Sequence, residues 1–176
     1  MTYIRKELYF IKDFDFSISD PKRKASASAS PPILQNKFLI VLHVENHDMG
    51  IYCLTGSLRG EITSLFVSKL VDECNAIDAG HFYKFDNTNI CDAFSFDVQT
   101  YLVGHPGNVF EESIVTLYQL YNIKGKAVKK GILKDEIFIS ILKCLKESDY
   151  LEGNLIIKLQ KIYDEETKPL PTKKKK

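Results

Sequence analysis

Tryptophan is absent from this 176-residue chain, and methionine, cysteine and proline are scarce, at 2, 4 and 6 residues. The cysteines, Cys53, Cys74, Cys91 and Cys144, lie far apart and form no CxxC pair. No Cys/His group has zinc-finger spacing, so no structural zinc site is written in the chain. An even number of cysteines permits disulfides. The opening stretch MTYIRKELYF, however, has neither the apolar core nor the cleavage site of a signal peptide. Reduced thiols in a cytoplasmic protein are therefore expected. Long apolar runs are missing too. The longest, at 38–42, is far too short to cross a bilayer, and a soluble protein with no membrane partner is expected. Charge of one sign is also lacking: the net value is +1, so any pull towards nucleic acid must come from a local patch. No GxxxxGK[ST], GxGxxG or GxSxG pattern occurs, which excludes a phosphate loop and a nucleophile elbow by sequence. No cofactor is implied.

What is present suits one α+β domain. The chain is 44% hydrophobic and 27% charged, ordinary for a globular protein, and long enough to bury a core. Residues 3–16 alternate charge with aromatic and β-branched residues, as a half-buried strand or hairpin does. Residues 20–33 combine the basic Lys22-Arg23-Lys24, an Ala/Ser alternation and Pro31-Pro32, and are expected to be a flexible loop. Phe38-Leu39-Ile40-Val41-Leu42 reads as a central strand that turns at residues 47–50 and returns as Ile51-Tyr52-Cys53-Leu54. The stretch 58–76 reads either as a loop or as a short helix after a loop. Short aromatic segments at 81–85, 93–96 and 100–103 predict further strands in a barrel or a sheet, with a turn at 105–108.

The period then changes. Ile114, Leu117, Tyr118 and Tyr121 have helical spacing, and Leu133, Ile137, Ile141 and Leu145 form a four-residue ladder. Asp149 and Glu152 resemble a capping box for a last helix that carries Leu155, Leu159 and Ile162. The division expected is a β-rich, barrel-like domain over 1–125, a helical hairpin over 126–166 packed on it, and a disordered basic tail over 167–176.

Candidate sites are few. His43 and His47 have HxxxH spacing, but the first ends a predicted strand and the second starts a turn, so no metal site is expected. Lys22-Arg23-Lys24 can reach phosphates from a loop, although an ordinary solvated loop explains it equally well. Lysines 173–176 are more often a solubilising end than a site. Tyr83 and Tyr101 are aromatics that could stack on bases or fill a core.

The order of elements carries a resemblance. A charged first strand, a basic loop, the strand opened by Asn36-Lys37-Phe38, and then Cys53-Leu54-Thr55-Gly56-Ser57 resemble the PemK/MazF-type toxins over about residues 1–60. In that family an Arg-Pro opens the apolar strand and a Pro-(Ile/Leu)-Thr-Ser pattern closes the next. Here the first is replaced, Cys53 stands for the proline, and Gly56 separates Thr55 from Ser57. The resemblance implies a small SH3-like barrel, often a homodimer, that binds and cleaves single-stranded RNA without a metal and is neutralised by an antitoxin protein. On that basis Arg23 and Thr55 are the expected catalytic residues, and Lys22, Lys24 and Ser57 the expected RNA contacts. The alternative expectation is a non-catalytic phage or mobile-element protein that binds a protein partner through its surface or C-terminal helices.

Overall fold

The apolar run at 38–42 is the centre of the fold. A computed structural model describes residues 3–20, 32–57, 73–77, 80–86 and 90–169, and the run lies there in β2 (Leu34–Glu45). On either side of it stand β1 (Glu7–Asp15) and β3 (Met49–Ser57), both antiparallel, with Leu8 opposite Ile40 and Leu39 opposite Leu54. An antiparallel strand with one wet face alternates apolar and polar residues. This run does not alternate because both of its faces are covered. Ile40 and Leu42 enter one core with Leu8, Ile51 and Cys53, while Leu39 and Val41 enter a second with Tyr9, Ile11, Tyr52 and Leu54.

The remaining strands are β4 (Cys74–Ile77), β5 (Gly80–Lys84), β6 (Thr100–Gly104), β7 (Val109–Ser113) and β8 (Ala127–Ile132). They complete an eight-stranded sheet in the order β4-β5-β6-β3-β2-β1-β8, with β7 also on β3. The far edge of β3 is thus shared. Residues 49–53 pair with β7, and Thr55, Gly56 and Ser57 pair with β6. Between β6 and β7 the chain turns through Gly107, whose φ of 87° is open to glycine at little cost. Among the described residues β4 and β8 do not pair with each other, so the hydrogen-bonded path is open. The α+β class is as expected; a closed barrel is not what this path forms.

Helices cover both faces. Over the first core lie α3 (Asp135–Leu145) and α4 (Gly153–Thr167), the latter named after α1 (Phe16–Ser19) and α2 (Ile114–Leu117). Of the expected ladder, Ile141 and Leu145 are buried in α3 and Ile137 partly so, while Leu133 precedes the helix. Phe138 and Leu142 complete the buried stripe, with Asp135 and Glu136 in the first turn where the helix dipole favours them. Leu159 and Ile162 are the buried residues of α4. Over the second core, α2 runs into a single π-helical turn, Tyr118–Asn122, and together they bury Ile114, Leu117 and Tyr121.

Several sequence expectations need correction. The stretch 126–166 is not a helical hairpin from its start, because β8 occupies 127–132 beside β1. Its exposed, lysine-bearing pattern is that of an edge strand, which hides the two-residue period. Residues 93–96 form no strand; Phe94 makes an isolated bridge with Cys91. No capping box forms at Asp149: α4 starts at Gly153 with Glu152 as an N-cap that makes no side-chain bond. The loop expected at 20–33 and the helix-or-loop at 58–76 fall largely outside the described residues, as does most of the basic tail.

The thiols also depart from expectation. Cys74 in β4 and Cys144 in α3 form a disulfide, whereas Cys53 and Cys91 are free and buried. The two bonded residues are 70 positions apart, so nothing local in the sequence announces the pair. The bond ties the outermost described strand to the helix above it. Cys74→Ser should lower stability by about 2–4 kcal/mol, and a thiol reductant should do the same to the parent. Urea unfolding with and without reductant checks this. A reductant effect that persists in Cys74→Ser would contradict the assignment.

Candidate functional site

Five neighbouring strands each place side chains along one cleft of about 380 Å³. The register sets Phe10 of β1 opposite Phe38 of β2, and their rings meet edge to face at 5.3 Å. Thr55 comes from β3, Thr100 from β6 and Lys130 from β8. These positions continue the face that carries Leu8, Ile40 and Cys53. There the helices give way to the segment 90–98, whose Phe94 and Phe96 close over Phe38 at 5.4 and 4.9 Å. The result is a groove with a phenylalanine floor.

One ammonium lies across its rings. Leu8 pairs with Gly131 and Tyr9 with Lys129, so Lys130 is the extra residue of a bulge. Bulges re-aim side chains. Here the Lys130 ammonium lies 5.7 Å from the Phe10 ring centroid and 5.8 Å from that of Phe94, a cation–π arrangement. Lys37 touches the cleft rim, but it pairs with Ile11, and its ammonium turns to the opposite face, onto the Phe16 ring at 5.5 Å. Its burial holds the amine below the usual lysine range, because desolvation disfavours the charged form. Among the described residues neither lysine has a carboxylate within ion-pair distance. Other cations are paired, as where Arg5 binds Glu165 and Glu166, Lys6 binds Asp135 and Glu166, and Lys129 binds the buried Glu7.

Thr55, expected from the sequence, lies in this cleft and is 4% exposed. Ser57 pairs with Thr100 through the backbone at the end of β3. Lys22, Arg23 and Lys24 lie outside the described residues. Sequence reasoning missed Lys37, Lys130 and the phenylalanines. Each reads alone as core or as solvated charge, and only the register joins them. The one available signal was that Lys37 precedes the apolar strand. Tyr83 is no platform for a base: it is 2% exposed and its hydroxyl donates to Glu73 at 2.8 Å. Tyr101 is half-buried, with its ring against Gly56.

His43 and His47 are separated as the sequence indicates, the first in β2 and the second in the turn with a φ of 63°. Among the described residues no group of three or more His, Cys, Asp or Glu side chains is placed to hold a metal ion. No helix among them is long and apolar enough to cross a membrane. The chain matches no protein-family model, no curated protein and no solved structure.

His43 instead serves the scaffold. Arg5 donates to its Nδ1 at 2.6 Å, and burial, then the Arg5 charge, hold the imidazole below its ordinary range. The unfolded chain takes up that proton at higher pH than the folded one. The stabilising contribution is therefore complete above about pH 6.5 and is lost as pH falls through the folded value. His43→Gln should flatten the decline in stability between about pH 7 and 5, read as urea midpoints across that range. An unchanged slope would show that other groups set it.

Proposed function

We propose that the cleft between Phe38, Phe94 and Lys130 binds single-stranded RNA. The observation that carries this reading is the Lys130 ammonium, without an ionic partner, set across the Phe10 and Phe94 rings in a phenylalanine-floored groove. Aromatic rings accept unstacked bases, at about 1–3 kcal/mol each, while cations hold the connecting phosphates. A double helix offers no splayed base to such a floor. Asn36, Thr55 and Thr100 supply the polar groups that a 2′-hydroxyl can meet.

The resemblance to the PemK/MazF-type toxins extends this reading to cleavage. The 2′-oxygen would bond to the adjacent phosphorus as the bond to the 5′-oxygen breaks. The 2′-hydroxyl proton leaves to solvent, the 5′-oxygen gains one, and a cyclic phosphate remains. Thr55 would position the phosphate, and Arg23 would steady the charge that develops on it, with Lys22, Lys24 and Ser57 as further contacts. The route uses the substrate's own hydroxyl, and an antitoxin protein could hold such an activity in check. The SH3-like arrangement belongs to the same proposal: a strand shared between β6 and β7 supports it, and the open path from β4 to β8 leaves it incomplete.

Fluorescence anisotropy with labelled single-stranded RNA tests binding. Lys130→Ala should weaken it by about fivefold or more and reduce its salt dependence. Binding that is absent, or indifferent to Lys130, would overturn the assignment. Cleavage, if the reading is right, survives a chelator, spares DNA and leaves a cyclic or 3′-phosphate. RNA that is bound but stays intact would leave a binding module without the catalysis.

A further inference from the structure

One lining residue fits neither phosphate binding nor base stacking. Asp97 is an exposed carboxylate at the cleft, carried between Phe96 and Val98. The segment that bears it is pinned on both sides. The buried Phe96 packs on Phe38 at 4.9 Å and on Phe85 at 5.1 Å. Beyond Asp97, Thr100 Oγ1 donates to the Val98 carbonyl at 2.9 Å, and Gln99 Nε2 donates to the Phe85 carbonyl at 2.8 Å. Among the described residues Asp97 meets no cation within ion-pair distance, although Lys130 lines the same cleft. The two signs of charge share the groove without neutralising each other.

A groove shaped for phosphate alone is weakened by such a carboxylate. One that holds cations, stacking rings and a separate carboxylate suits a ligand with an anion at one end and N–H donors at the other. Nucleobases differ in how many donors they offer. Uracil presents one ring N–H between two carbonyls, and adenine and cytosine present one amino group beside an acceptor. Guanine presents a ring N–H and an amino group side by side, which match the two oxygens of a carboxylate. We infer that Asp97 makes the cleft selective for guanine at the base it stacks. This rests on the proposed RNA-binding reading.

The test uses the full chain and U-rich single-stranded RNA of about six nucleotides, a length within the reach of such grooves. One internal position carries guanine, inosine, adenine, cytosine or uracil. The guanine RNA should bind about tenfold more tightly than the uracil, adenine and cytosine RNAs, and inosine, which lacks the amino group, should fall between. Asp97→Asn should remove the preference while uracil RNA binds as before or slightly better, since one repelling charge is gone. Equal binding of all the RNAs by the parent chain overturns the inference and leaves RNA binding standing. A guanine preference that survives Asp97→Asn overturns it as well. If no RNA binds at all, both readings fall.

Discussion

Strand β3 is the constraint on which the rest of the architecture depends. One edge pairs with β2, and the other is divided between β7 and β6, so this strand alone connects the β8-β1-β2 side of the sheet to the β6-β5-β4 side. Such a strand has no free edge over most of its length and no wet face. Ile51, Tyr52, Cys53 and Leu54 are accordingly all buried, alternating between the two cores. A polar residue on either face would lose its hydration without gaining a partner, so the composition of β3 follows from its position. Thr55 stands where the pairing passes from β7 to β6, and the cleft opens at that handover.

The readable parts of the fold are those whose local pattern agrees with their packing. The unbroken run at 38–42, the return at 51–54 and the ladder of α3 all have a local signal that matches their burial. The parts that were not readable depend on distant partners. β8 is an edge strand whose lysines and exposed Val128 break the alternation, and it pairs with β1 more than 100 residues earlier. The Cys74–Cys144 bond is chosen by the meeting of β4 and α3. Whether a sheet closes into a barrel is likewise a matter of which end strands meet, a fact with no local trace.

The candidate site was legible only at Thr55, through a motif at the end of a strand. Its other members come from strands β1, β2, β6 and β8 and from the segment before β6. Phenylalanine in a strand is ordinary core material, and that is what Phe38 and Phe96 partly are. The groove they floor is completed where the bulge at Lys130 tilts an ammonium across the adjoining Phe10 and Phe94. A bulge that inserts one residue in an edge strand is invisible to a two-residue period, so the feature that completes the cleft is also the one that hides it.

The electrostatics of the cleft bear on why such a place exists. A lysine that is largely removed from water, like Lys37, is held at the expense of its own solvation, which its lowered affinity for a proton records. The neighbouring Phe16 ring offsets part of that cost, and no described carboxylate offsets the rest. Glu7 shows how the same protein treats a buried charge that serves only structure. Its carboxylate accepts from the Tyr9 hydroxyl at 2.9 Å, from the Ile4 amide at 2.7 Å and from the Lys129 ammonium at 2.5 Å. Lys37, whose ammonium rests on Phe16 on the face opposite the cleft, has no such set of partners, and the Tyr52 hydroxyl and His81 Nδ1 are likewise buried without a hydrogen bond. Unmet polar groups among the described residues are thus not confined to the cleft. What sets the cleft apart is the exposed Lys130 ammonium, which a bulge holds across two phenylalanine rings.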